Sequence, residues 1–350
     1  MASASTSPST LASIAPAPLP TAPPPAPLKG TVTELADASR PSFGVAVDAG
    51  YVYWAIYEGG DVLRVPRGGG PVERLLGGQD FVNAIAVDAG GDVYWSIGHG
   101  MTPGGSIQRL AAGSHTATVF APSQAGATSV AVDATHAYWL VSGGYDGTGA
   151  VTRPSICRKG LRSGAVETLA TGLDGPTRLV LDGDDVVFVT EGSPPYSGHG
   201  AVSKVSKHGG AVTVLASSQT NPLGLSADGG YVYWSIVGPL VTPPPPVCPK
   251  GTPCPIPTSV PTADKGEVRR VPKGGGPVEI LAKDLKHVGI VAAAAAASPG
   301  SVYFSTDQAT HLMPASGGAP RKIGPGGSSQ MAFRDGIGYA QLGGKIVALQ

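Results

Sequence analysis

The run Val45-Ala46-Val47-Asp48-Ala49-Gly50-Tyr51-Val52-Tyr53-Trp54 decides the fold, because it comes back along the whole chain. It returns as Ala86-Val87-Asp88 with Val93-Tyr94-Trp95, and as Ala131-Val132-Asp133 with Ala137-Tyr138-Trp139. A weaker copy is Val180-Leu181-Asp182 with Val186-Val187-Phe188, and a strong one is Ser226-Ala227-Asp228 with Val232-Tyr233-Trp234. Val302-Tyr303-Phe304 and Gly338-Tyr339-Ala340 complete the series without the clean Asp. Each copy is an apolar run, an Asp turn and an aromatic, β-branched run, the composition of two paired strands. The seven copies lie mostly 36 to 49 residues apart, a period that suits one four-stranded blade each. The long interval between Tyr233 and Tyr303 contains a proline tract.

Working outward, each copy is followed by a second hairpin. Val62-Leu63-Arg64-Val65-Pro66, a glycine turn and Val72-Glu73-Arg74-Leu75 are the pattern. Equivalent hairpins centre on Arg109 and Thr118, Arg158 and Glu167, Lys204 and Thr213, Arg270 and Glu279, and Leu312 and Arg321. The two positions are nine residues apart in every case, which places them opposite each other on one face. Three of the six pairs are Arg–Glu, so cross-strand ion pairing, about 0.2–1 kcal/mol each, accounts for the recurring basic residue.

Closure fixes the number of blades. The last copy begins near Gln330, supplies strands through Tyr339 and at 346–349, and then the sequence ends without a fourth strand. The segment Thr31-Val32-Thr33-Glu34-Leu35-Ala36 has the fourth-strand pattern of residues 165–170 yet no strand of its own blade before it. Residues 31–36 are therefore expected to complete the last blade and remove the exposed edge of an open array. The fold is read as all-β, a seven-bladed β-propeller closed by an N-terminal strand. Ala292 to Ala297 is an alanine run at a first-strand position, where repeat register outweighs the helical preference of alanine.

Composition bounds the rest. Gly (52) and Pro (34) make up about a quarter of the chain, and the prolines gather at 1–28 and 239–261. Residues 1–28 are read as a disordered Ala/Pro/Ser-rich leader, and 29–350 as one propeller with a Pro-rich, Cys-containing insertion at 238–265. The leader has neither a charged start nor an apolar stretch of secretory length. It is expected to be a tether behind an export signal not visible here; a cytosolic protein with a loose tail is the alternative. The formal net charge is zero and no basic stripe exists, which argues against nucleic acid. No apolar run is long enough for a transmembrane helix. A monomer is expected.

The aromatic second strand resembles the YWTD and NHL-type propeller repeats, through Tyr94-Trp95-Ser96, Tyr233-Trp234-Ser235 and Tyr303-Phe304-Ser305. Tyr53-Trp54-Ala55 and Tyr138-Trp139-Leu140 are looser versions. The resemblance spans residues 31–350 and implies fold rather than activity. YWTD propellers have six blades and a Thr and Asp after the Trp; this chain departs on both counts, so no receptor role follows. It is similar in general look to exported bacterial propeller proteins of uncharacterised role. Streptogramin B lyases also have seven blades and gluconolactonase-type lactonases six, but no motif of either is found here.

Function in a propeller lives in loops. Insertions fall where the second strand meets the third: Gly98-His99-Gly100-Met101-Thr102-Pro103, Gly143-Gly144-Tyr145-Asp146-Gly147, the stretch from Glu191 through Tyr196 to His199, and the tract at 238–265. These lie on blades two to five and on one face. The leading expectation is a non-catalytic exported propeller presenting that face to a protein or glycan, with Tyr57, Tyr145 and Tyr196 as anchors and Asp146 beside them. The rival is a metal-dependent lyase or lactonase at the mouth of the central channel. It would use Ca²⁺ or Mg²⁺ on His99, His199, His287 and Glu191, although no His-x-x-x-His spacing is present; otherwise no cofactor is expected. A structural cell-surface spacer is the third reading. The Asp set (Asp48, Asp88, Asp133, Asp182, Asp228) lies on the opposite face and is read as turn caps rather than a metal ring. Cys248 and Cys254 are expected to form a disulfide, which implies an oxidising compartment, and Cys157 is an ordinary strand residue.

Overall fold

The computed structural model describes residues 30–38, 40–57, 59–79, 81–98, 104–145, 151–193, 198–238, 240–241, 260–261, 265–286, 288–289, 291–294, 300–327 and 330–350. They form seven four-stranded antiparallel sheets, and no helix occurs among them. Blade one consists of Ser42–Val47, Tyr51–Ile56, Val62–Pro66 and Glu73–Leu76 in that spatial order, and the next five blades repeat it. Their first strands are Val82–Val87, Ala127–Val132, Pro176–Asp182, Pro222–Ala227 and Val291–Ala294. From blade one to blade six each first strand lies beside that of the next, and that of blade seven lies beside that of blade one, so the first strands ring the propeller axis. Blades three and five carry an additional two-stranded ribbon, Gly144–Tyr145 with Val151–Thr152 and Leu240–Val241 with Val260–Pro261.

Blade seven is made from both ends of the described chain. Ala332–Arg334, Ile337–Leu342 and Lys345–Leu349 supply three strands, and Val32–Asp37 supplies the fourth. The register runs Val32↔Leu349 to Asp37↔Lys345, with the Thr31 amide donating to the Gln350 carbonyl at 2.8 Å. The closing strand expected from sequence is in place. A side-chain latch adds to it: Gln341 Oε1 accepts from the Ser42 amide and hydroxyl, both at 2.7 Å, across the blade seven–blade one seam.

The Tyr-Trp pair explains how blades stack. Adjacent strand residues point to opposite faces of a sheet, so Tyr53 packs with Ile85 and Trp95 of blade two, while Trp54 packs with Tyr339 and Ile346 of blade seven. Tyr94 meets Trp139, Tyr138 meets Phe188, and Tyr233 meets Phe304 by the same rule. Trp54, Trp95, Trp139 and Trp234 are all 0% exposed, which makes these interfaces the core of the molecule. Cys157 is buried with a free thiol. Residues 1–29 and both Cys248 and Cys254 lie outside the described residues.

Candidate functional site

Strand direction alternates within a blade, so turns after first and third strands share one face, here the lower. Connections after second strands and between blades share the other, the upper. On the upper face, Tyr57 follows the second strand of blade one and sits between two phenylalanines. Its ring is 4.9 Å from Phe43 at 89° and 5.9 Å from Phe81 at 79°, both edge-to-face. Phe43 is 51% exposed and Phe81 is 41% exposed, so the trio presents an apolar patch to solvent. Phe81 holds a φ of 63°, and its amide donates to the Tyr57 carbonyl at 3.0 Å. A bulky residue in the left-handed region is a strained choice, costing about 1–3 kcal/mol.

Blade four brings Glu191 and His199 onto one connection. The Glu191 amide is anchored to the Gly175 carbonyl at 2.8 Å, and its half-buried carboxyl is pushed up by desolvation alone. His199 is exposed, with Nδ1 3.4 Å from the Ser193 carbonyl. Of the other sequence-derived candidates, His99, Asp146, Tyr196 and His287 lie outside the described residues, and of Tyr145 only the backbone strand position is described. Among the described residues, no three His, Cys, Asp or Glu side chains are grouped to hold a metal ion.

The first strands around the axis carry a residue that the repeat pattern does not single out. At one position of the first strands the blades hold Gly44, Ala84, Ser129, Gly224 and Gln330, but blade four holds the cation Arg178. Its Nε is buried without a hydrogen-bond partner, and the side chain forms no ion pair among the described residues. Burial lowers its pKa. The buried hydroxyls of Thr128 and Thr177, one position earlier on the neighbouring strands of blades three and four, are likewise without partners. A buried guanidinium nitrogen without a partner among the described residues favours an anionic or carbonyl oxygen.

The lower face carries the Asp set. Asp48 Oδ1 accepts from the Gly50 and Tyr51 amides, both at 2.7 Å, and Asp133 and Asp228 cap their turns in the same way. The turn-cap reading holds for these residues and for Asp88. Asp182 differs: it bonds the Lys273 ammonium of blade five. The second carboxylate oxygen has a role that repeat spacing did not reveal, accepting from the Tyr hydroxyl five residues on, at 2.6 Å for Tyr53, 3.0 Å for Tyr138 and 2.7 Å for Tyr233. Burial raises the pKa of each of these tyrosines, and the Asp partner raises it further. The cross-strand pairs Arg64–Glu73, Arg158–Glu167 and Arg270–Glu279 are ion pairs as expected; Arg109, opposite Thr118, turns to Asp92 instead.

No protein-family model matches the chain, and no curated protein matches it. Solved propellers do match in structure. Hydrazine synthase of Kuenenia stuttgartiensis aligns with a TM-score of 0.63 at 13% identity, covering 95% of this chain and 99% of that one. The WD40 β-propeller domain of Doa1 aligns with 0.57 at 10% identity over 92% and 96%, respectively. A gluconolactonase of Xanthomonas campestris, XC5397, aligns with 0.51 at 16% identity over 91% and 89%. At these identities the likeness concerns the fold, a seven-bladed propeller, and not an activity.

Proposed function

We propose that this chain is a non-catalytic binding propeller whose upper face takes a protein or glycan partner. The exposed trio of Phe43, Tyr57 and Phe81 carries the reading. An aromatic patch beside the axis, retained at the cost of a left-handed Phe81, is a binding feature that core packing does not require. Aromatic side chains bring large rigid contact area and dominate binding surfaces. The insertions of blades two to five extend the same face, and an exported setting with a bridged Cys248–Cys254 loop belongs to this reading.

The test is binding of labelled protein to a glycan array and an extracellular-protein array. Wild type is compared with a Phe43→Ser/Phe81→Asn double variant, Asn being tolerant of the left-handed backbone, and with Arg109→Ala on the lower face. The double variant should lose at least about tenfold in affinity, as loss of hot-spot residues implies, while Arg109→Ala keeps it. A wild type silent on both arrays, or binding indifferent to the double variant, would sink the proposal. A second reading, a lyase or lactonase at the channel mouth, is favoured by the raised pKa of Glu191 and by the Arg178 Nε that has no partner among the described residues. Its sign would be a bound divalent ion whose removal by EDTA lowers the melting temperature.

A further inference from the structure

The lower face contains a clamp that repeats at some blade boundaries and is missing at others. Arg67, Leu161, Lys207 and Lys273 occupy one repeat position, each donating its amide to a carbonyl of its own blade's first turn at 2.8–3.0 Å. Where this residue is basic, its side chain reaches back to the preceding blade. Lys207 places its ammonium 2.9 Å from Asp133 Oδ2 and 5.4 Å from the centre of the Tyr138 ring. Lys273 bonds Asp182 at 2.5 Å, and Arg67 bonds Asp335 and the Tyr339 hydroxyl, both at 2.8 Å. The cation therefore sits on an Asp, and in two of the three boundaries against an aromatic Tyr as well.

Between blades two and three the clamp is absent, because its position is Leu161. A cleft of about 740 Å³ opens there, lined by Asp88, Asp92, Tyr94, Arg109, His136 and Leu161 among others. The counterparts of the groups that hold Lys207 one boundary further on are present here without a lysine from the next blade. Asp88 caps its turn through Oδ1 to the Gly90 and Asp92 amides, at 2.8 and 3.0 Å, while its Oδ2 accepts no bond among the described residues. Tyr94 is 0% exposed, and its hydroxyl, unlike those of Tyr53, Tyr138 and Tyr233, makes no well-formed hydrogen bond among the described residues, although burial and the neighbouring Asp88 and Asp92 carboxylates raise its pKa. Charge points the same way. At the blade three–blade four boundary Asp133 is paired with Lys207, whereas at this one Arg109 pairs with Asp92 and no lysine reaches Asp88. Arg162, at the rim, is exposed and in no ion pair among the described residues. A similar cleft of about 500 Å³ lies between blades five and six at Ala315, but there the Tyr233 hydroxyl is already bonded to Asp228.

We infer that the blade two–blade three cleft binds an aliphatic primary amine, its ammonium on Asp88 Oδ2 and its alkyl stem along Leu161. The ligand takes the place that the chain's own lysine takes at the next boundary. The cleft volume lies in the range of small-molecule sites, and an ammonium–carboxylate hydrogen bond in a part-buried cleft is worth more than a surface pair. This site is independent of the upper-face reading and stands or falls without it.

Calorimetric titration with 1,5-diaminopentane and n-butylamine at fixed ionic strength tests it. Wild type should bind with one-site saturation and gain melting temperature. The Leu161→Lys variant should melt higher than wild type without amine and bind amine at least about tenfold more weakly, the loss of one charge-assisted hydrogen bond. Ala315→Lys adds the same charge at the other cleft and should leave binding intact, which separates a filled site from a general field effect. Should Leu161→Lys fail to fold, Asp88→Asn should likewise bind amine at least about tenfold more weakly, and its amide oxygen still caps the turn. The inference is overturned by absence of saturable binding to wild type, by equal binding to Leu161→Lys, or by equal displacement with tetramethylammonium.

Discussion

Asp133 shows what one residue does for this fold. Its Oδ1 caps a turn through the Thr135 and His136 amides at 2.8 and 2.9 Å, while its Oδ2 takes the Tyr138 hydroxyl at 3.0 Å and the Lys207 ammonium at 2.9 Å. Burial alone would raise its pKa, but Lys207 and the turn amides outweigh it and hold the carboxyl well below the usual carboxylate range. A depressed folded-state pKa means that the stabilisation is complete above the unfolded value near 4 and disappears as pH falls through the folded one. Asp133→Asn should therefore cost about 1–3 kcal/mol at pH 7, and the gap to wild type should narrow steadily below about pH 4. Urea unfolding of both proteins at pH 7 and pH 3 measures it; a gap that widens in acid would refute the assignment. The cap was legible in sequence because Asp before a Gly or Ala turn acts within a few residues. The Lys207 contact was not, since it spans 74 residues and exists only once two blades are stacked. A signal was nonetheless present, a basic residue three positions after the strand-three base in Arg67, Lys207 and Lys273.

At the scale of the element, the strand Val32–Asp37 has the largest consequence. It was legible because a hairpin half with no partner and a blade with no outer strand demand each other. The hairpin pairs were legible for a comparable reason: a spacing of nine around a turn fixes register locally, and all six pairs are opposed as expected. The Phe43–Tyr57–Phe81 patch was only one-third legible, through Tyr57, because Phe43 and Phe81 come from an inner strand and an inter-blade connection that no local pattern joins. Removing residues 1–29 should leave stability within about 0.5 kcal/mol, as their Ala/Pro/Ser-rich, aromatic-free composition predicts. Removing residues 1–37 should do far more. It strips Leu35 and Ala36 from the core between blades seven and one and exposes the edge of Lys345–Leu349. Loss of one buried leucine alone costs about 2–5 kcal/mol, and the bare edge invites association. Thermal unfolding with size-exclusion chromatography distinguishes the two truncations, and equal behaviour would mean that the strand does not close the ring.

For the whole molecule, a ring whose last blade is shared makes the position of the ends a matter of convenience. Thr31 and Gln350 exchange backbone hydrogen bonds at 2.8 and 3.0 Å, so a short linker can join them without moving any strand. The second-to-third-strand connection of blade five, from Leu240–Val241 to Val260–Pro261, begins and ends in one small ribbon, so new ends between them start from neighbouring points. In such a circular permutant blade seven becomes continuous, and blade five becomes the blade completed by two chain ends. The inter-blade packing of Trp and Tyr residues is the same in both orders, as are the clamps of Arg67, Lys207 and Lys273. The permutant, made without residues 1–29, should thus unfold in one transition with a stability within about 1–2 kcal/mol of wild type, the difference coming from loop-closure entropy rather than lost contacts. Denaturant unfolding followed by both tryptophan fluorescence and far-ultraviolet circular dichroism tests this. Coincident curves near the wild-type midpoint support a ring held equally at every seam. A permutant that unfolds in two steps would show instead that the Val32–Asp37 seam and its Ser42–Gln341 latch hold the propeller together in a way that the other six boundaries do not.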